Sequence, residues 1–145
     1  MKRILIIAIL TVCAAAAWAA EPPASLGILN SHYSADPGVS KTIVTGKSLK
    51  RYNLEEYRGL TLADKPEKAE AIEKAVAHDA RNANDREISY RDGKIYYAFL
   101  TLKPKDDKNR YLFYLNQHLA GGNKIILIYM SGKADSESIK KMIKK

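Results

Sequence analysis

The sequence predicts an α+β domain, and three observations carry that prediction. Apolar residues recur at helical spacing through 62–83, two β-prone runs flank an Asp-Gly pair within 86–102, and the run 124–130 is apolar on both faces. The expected architecture is one domain: about five strands in a mostly antiparallel sheet, with helices packed on at least one face. The chain between these segments contains neither a linker nor a low-complexity tract.

The first segment is read as an export signal. Lys2 and Arg3 precede the charge-free apolar stretch 4–17, and Ala17-Trp18-Ala19 supplies the small-x-small pattern of a cleavage site. The apolar stretch falls short of the roughly 20 residues of a bilayer span, and Glu21-Pro22-Pro23 follows it closely. A lipid-modified Cys13 is disfavoured, because that processing site wants a small residue where Val12 stands. Residues 1–19 are therefore expected to be a signal peptide and 20–145 the single domain, with no transmembrane span after cleavage.

Cleavage after Ala19 leaves 126 of the 145 residues, with 22 basic and 16 acidic side chains and a formal charge of +6 in place of +8. Cys13 and Trp18 leave with the signal, so the mature chain has no disulfide, no thiolate chemistry and no cysteine-bound metal. A chain of this length buries close to two-thirds of its unfolded surface, enough for a core to hold the fold alone.

Along the mature chain, residues 25–33 predict a short helix with Leu26, Leu29 and Tyr33 on one face, ended by a turn at Asp36-Pro37-Gly38. A strand follows over about 39–46, with Val39, Ile43 and Val44 as its apolar members. Residues 53–60 read as one or two helical turns capped by Asn53. Over 62–83, Ala69, Ile72, Val76, Ala80 and Ala83 form a narrow apolar stripe, Asp64 with Glu67 makes a capping pair, and Pro66 falls in the first turn. Glu70 and Lys74 add an i,i+4 pair on the wet side.

From residue 86 the periodicity changes. Asp92-Gly93 between two β-prone runs is the strongest short hairpin signal, and a two-residue turn there sets Tyr90 opposite Ile95 and Ile88 opposite Tyr97. A polar loop at 104–109, a strand at 110–116, a turn at 118–123 and the central strand 124–130 complete the sheet. Asp135 caps a short C-terminal helix with four lysines among its last six residues, a placement the helix dipole favours.

Chemistry-bearing motifs are few. Thr45-Gly46-Lys47-Ser48 imitates the end of a phosphate-binding loop, but Lys41 stands where the earlier glycine belongs, so there is no room for a cradle. Ser131-Gly132-Lys133 repeats the strand-Gly-Lys pattern, and both glycines are read as points where the chain leaves the sheet. His32, His78 and His118 lie in separate segments with no metal-ligand spacing, and His78 and Asp79 point about 100° apart on a helix, unlike a hydrolytic triad. Most of the acids sit on helix faces (Glu67, Glu70, Glu73) or in loops (Asp92, Asp106, Asp107), and none is expected inside an apolar strand, where burial would raise its pKa for acid catalysis. The expectation is a chain without cofactor or metal that is not an enzyme; a glycan or cell-wall hydrolase is the weakest alternative.

Tyrosine is the unusual residue. All nine lie beyond residue 19, and most fall in the expected sheet, where rigid rings with polar tips suit a partner or a sugar. Tyr96, Tyr97, Tyr111 and Tyr114 are the expected centre of a binding face. A second expectation is an electrostatic anchor to an anionic cell-surface polymer or headgroup through Lys140, Lys141, Lys144 and Lys145. Nucleic acid is not an expected partner of an exported chain.

The segments "VTGKSLKRYNLEEYRGLTL", "YRDGKIYYAFLTL", "NRYLFYLN" and "KIILIYMSGKADSESIKKMIKK" together resemble a family of small secreted Bacteroidetes proteins of unknown function. That resemblance implies an envelope location and an α+β fold, and brings no catalytic or ligand residue with it. The functional expectation is thus an exported binding or interaction module, periplasmic or at the cell surface, whose partner is an envelope protein or glycan.

Overall fold

The computed structural model describes residues 22–30 and 37–144. The signal segment, His32, Tyr33, Asp36 and Lys145 lie outside them. Six strands form one antiparallel sheet: β1 (Val39–Thr45), β2 (Leu54–Ala63), β3 (Asp85–Arg91), β4 (Lys94–Lys105), β5 (Lys108–Asn116) and β6 (Lys124–Gly132). Their spatial order is β1-β2-β6-β5-β4-β3. Three helices accompany it: α1 (Ala24–Leu29), α2 (Ala69–Arg81) and α3 (Ser136–Ile143). The chain is α+β, as expected, with one strand more than the expected five.

That strand is β2, and it corrects the helical reading of 53–60. Asn53 adopts a left-handed conformation at φ 57° after a 3₁₀ turn (Lys47–Tyr52), so it ends a turn instead of capping a helix. A bulge between Leu54 and Glu56 reverses the side-chain parity, sending Leu54 to one face and Leu60 and Leu62 to the other. Simple alternation is hidden by that shift. Gly59 and the β-branched Thr61 lower helix propensity over the same stretch.

The connection from β2 to β3 carries α2 across one face of the sheet to its far edge; the remaining strands then return by hairpins until β6 pairs with β2. The α2 stripe behaves as its spacing predicts, with Ile72, Val76 and Ala80 buried. Its expected capping pair does not form. Pro66 opens a 3₁₀ turn (Pro66–Lys68), no side chain caps either helix start, and Asp64, at φ 60°, ends β2 by bonding with Asn123. Glu70 and Lys74 do pair, at 3.6 Å.

The β3–β4 turn has positive φ at both Asp92 and Gly93, as a two-residue turn matched to strand twist requires. Tyr90 faces Ile95 as expected, but Ile88 faces Ala98 and not Tyr97, because a bulge intervenes between Ser89 and Tyr90 and shifts the register by one. The expected loop 104–109 contracts to Asp106-Asp107, with strands reaching to either side. Gly46 follows β1 and Gly132 ends β6, where the chain leaves the sheet at both. At Gly132 a Cβ would lie 2.6 Å from the Asn53 carbonyl oxygen, so that crossing admits only glycine.

Two cores result, one on each face. Under α1 and α2 lie Leu60, Leu62, Leu100, Leu112, Tyr114, Ile125 and Leu127. Under α3 and the 3₁₀ turn at Lys47–Tyr52 lie Leu54, Phe99, Tyr111, Phe113 and Met130. Among the described residues, no helix is long and apolar enough to cross a membrane.

Candidate functional site

The two faces are unequally covered, and the residues that remain half-buried show how. On the α2 face they come from helices and edges, such as Leu26, Ala77, Val39 and Ile88, while the central strands' apolar side chains are sealed. On the α3 face they include, besides Val44 of β1 and Met142 and Ile143 of α3, residues of the sheet's own centre: Ile126 and Ile128 of β6, Leu115 of β5, Tyr97 of β4 and Tyr57 of β2.

Register fixes how these residues adjoin. One row across the sheet reads Ser40, Thr61, Ile126, Leu115, Tyr97 and Ser89. The next reads Thr42, Gly59, Ile128, Phe113, Phe99 and Glu87. The centre of each row is apolar, and hydroxyls of Ser40, Thr42, Thr61 and Ser89 flank it. An apolar centre within a polar rim is the composition of an interaction surface.

The eight-residue α3 explains the incomplete cover. Asp135 caps it, as expected, accepting the Ser138 N–H at 2.8 Å; that bond holds the Asp135 carboxyl below its ordinary pKa. Ile139 is buried against the sheet, and the Tyr111 hydroxyl donates to the Ala134 carbonyl at 2.7 Å, tying the approach to the helix down. Twelve ångströms of helix is about what eight residues supply, roughly half the length of a six-stranded sheet.

The four candidate tyrosines do not share a surface. Tyr111 and Tyr114 are buried to 2% and 0% exposure, on opposite faces of the sheet. Tyr96 sits at the β4 bulge with the Arg91 guanidinium 4.3 Å from its ring centre. Tyr111 is sealed within the α3-face core, and Tyr97, half-buried on the same face, meets Phe113 edge-on at 5.6 Å. Residues 111 and 114, like 96 and 97, are an odd number apart, so strand alternation already separates each pair.

Burial raises the pKa of Tyr114 to about 12; the Glu73 charge adds to the rise and the nearby Asn116 side chain opposes it. The Tyr114 hydroxyl has no hydrogen-bond partner among the described residues. Burial also raises Tyr57, Tyr97 and Tyr111.

The candidate lysines are divided as well. Lys140 donates to Glu87 at 2.6 Å and stands 5.5 Å from the Phe99 ring, and this hydrogen bond raises its pKa. It therefore fastens α3 to β3. Lys141 and Lys144 are exposed.

Two polar groupings escaped the sequence reading. Asp79, 3% exposed on α2, accepts the backbone N–H groups of Ala24 at 2.7 Å and Ser25 at 2.9 Å, capping α1 from another helix. Its signal was an acid placed beside the Val76–Ala80 stripe, on the inward side. At the far end of the α2 face, Arg58 pairs with Glu56 and reaches Asn30, while Arg110 donates to the Lys103 carbonyl at 2.8 Å. Burial raises the Tyr129 pKa there, the Arg110 charge opposes it, and Glu56 adds to it. The Glu56 carboxylate of this corner is engaged by Arg58.

His78 is exposed, and His118 lies at the opposite end of the domain in the 3₁₀ turn Gln117–Ala120. Among the described residues no three His, Cys, Asp or Glu side chains gather as a metal site would require.

The model of a family of unknown function, DUF6108, matches residues 12–143. It agrees with the family resemblance carried by the strand segments. No curated protein and no solved structure matches.

Proposed function

We propose a role for this chain, which belongs to that family of unknown function, from its own surface: it is an exported, non-enzymatic binding module whose α3 face receives a protein partner of the bacterial envelope. The single observation behind this reading is that the half-buried residues of that face, Ile126, Ile128 and Leu115, lie on the central strands. Central strands are where a domain that works alone buries its side chains most completely. Export is supported by the basic, apolar and small-x-small segments of residues 2–19.

A protein suits this surface better than a glycan. Sugars stack on exposed aromatic plates, but Tyr97 is engaged in an edge-on pair with Phe113, and the half-buried residues of β5 and β6 beside it, Leu115, Ile126 and Ile128, are aliphatic. Aliphatic side chains between hydroxyl-bearing edges complement an apolar protein segment.

The test is capture from a native envelope fraction with the mature chain 20–145 as bait, washed at low and high salt. The reading expects a discrete protein retained at high salt, lost with Ile126→Lys or Leu115→Asn, and kept with Ile43→Lys, which alters an exposed residue of β1. Thermal melts confirm that each variant folds. Capture unaffected by Ile126→Lys and Leu115→Asn would refute the reading, and material lost only at high salt would point to the lysines of α3 instead.

A further inference from the structure

A cleft of about 370 Å³ opens on the other face, between the C-terminal half of α2 and the β3–β4 hairpin. Its origin is local. The helix lines it with the short side chains of Ala77 and Ala80 and with Arg81. The bulge in the hairpin places Tyr90 and Ile95 opposite one another on the same side as Ile88 and Ala98. Ile88, Ile95 and the two alanines make an apolar floor, and Tyr90, 61% exposed, forms one wall.

Arg81 and Arg86 line the same cleft. Arg86 donates from Nη1 to the Ala80 carbonyl at 2.7 Å, which holds its guanidinium at the end of α2 and leaves its other N–H donors available. Arg81, the last residue of α2, is exposed. The carboxylates around it each accept backbone N–H groups. Glu73 accepts the Ile95 backbone N–H, Asp85 accepts that of Arg86, and Asp79 caps α1. Arg91 lies over the Tyr96 ring. Positive charge at one end of an apolar floor, with a phenol ring as its wall, selects for shape and sign together.

We propose that this cleft binds a compact amphiphilic anion: a flat apolar ring system bearing one carboxylate, its ring against Ile88, Ile95 and Tyr90 and its carboxylate toward Arg81 and Arg86. Volume and composition fit, since small-molecule sites begin near 300 Å³ and combine an apolar lining with a few convergent polar groups. Guanidinium is the group best suited to a carboxylate because its paired donors match the two oxygens. This site is separate from the α3 face and does not depend on it.

The experiment is an ¹H–¹⁵N NMR titration of the purified protein with 2-naphthoate, with its neutral analogue 2-naphthalenemethanol, and with acetate. The proposal expects saturable shifts at the Ala77, Ala80, Ile88 and Ile95 amides with naphthoate, leaving Ile126 and Ile128 unmoved. The neutral analogue and acetate should each bind at least about tenfold more weakly, the scale of one lost charge-assisted hydrogen bond or of the lost ring. Arg81→Gln, at an exposed position, should weaken naphthoate about tenfold, and Tyr90→Ala should weaken it too. Absence of saturation at those amides, equal affinity for the neutral analogue, or indifference to Arg81→Gln would overturn the proposal. Shifts confined to Ile126 and Ile128 would overturn it as well, while leaving the reading of the α3 face standing.

Discussion

The two faces of the sheet are built from the same strands yet finished differently. One is closed by a thirteen-residue helix with a second helix docked beside it, and the central side chains there reach 0% exposure at Leu62, Leu127 and Tyr114. The other is closed by eight residues of α3 and a 3₁₀ turn, which leave Ile126, Ile128 and Leu115 half-buried. Strand alternation distributes apolar residues to both sides equally. Cover, not strand composition, therefore decides how completely each core is sealed.

The sharpest way to break this comparison is to cut one side chain on each face of the same strand. Leu127→Ala, beneath the α2 layer, should lose about 3 kcal/mol of stability, since a sealed site cannot collapse around the cavity. Ile128→Ala, its neighbour on the α3 face, should lose only about 1 kcal/mol, because water already reaches that site. Denaturant unfolding of the pair measures both, and equal losses would mean that the faces are equally closed.

Next in size is Asp79→Ala. It leaves the Ala24 and Ser25 N–H groups without their acceptor and should cost about 2 kcal/mol. The same change should speed amide exchange at the start of α1, while β6 amides keep their protection. Unchanged exchange in α1 would show that the cap contributes nothing.

A smaller effect appears at alkaline pH. The Tyr114 phenol ionises near 12 in the folded chain against an ordinary 10.0, so the unfolded chain loses its proton first. The neutral ring's contribution is complete below about pH 10 and is lost progressively as pH rises toward 12. Tyr114→Phe should flatten that part of the stability profile. At neutral pH it should leave stability unchanged or raise it by up to about 1 kcal/mol, because it removes a buried hydroxyl without a partner among the described residues. An unaltered alkaline slope would place the responsible group elsewhere.

The mildest expected change is Lys140→Gln, which cuts the tie between α3 and Glu87. Global unfolding should hardly move, but amide exchange in α3 should quicken relative to α2. If α3 exchanged no faster, the helix would be held by Ile139 and the Asp135 cap alone.

Much of the fold was legible because its signals are local. Asp92-Gly93 specifies a turn by backbone conformation, Asp135 caps α3 through one hydrogen bond, and the Ile72–Val76–Ala80 spacing defines a helix face. What escaped the sequence involves parity or partners distant along the chain. A bulge at the start of β2 disguised a strand, and another in the β3–β4 hairpin moved Ile88 off Tyr97. Asp79 gains its meaning only from α1, more than fifty residues earlier. The candidate site was half legible: aromatic excess pointed to a sheet face, but the half-buried side chains there are Ile126, Ile128 and Leu115 with Tyr97, while Tyr111 and Tyr114 are interior.

The account stands most directly on whether the α3 face meets a partner where the protein works. A photo-crosslinking residue placed at Ile126, and separately at Ile43 on the exposed edge strand, reports this in the native cell. The account predicts one discrete adduct from position 126 and none from 43. Adducts from 43 alone, equal adducts from both, or none from either would contradict it.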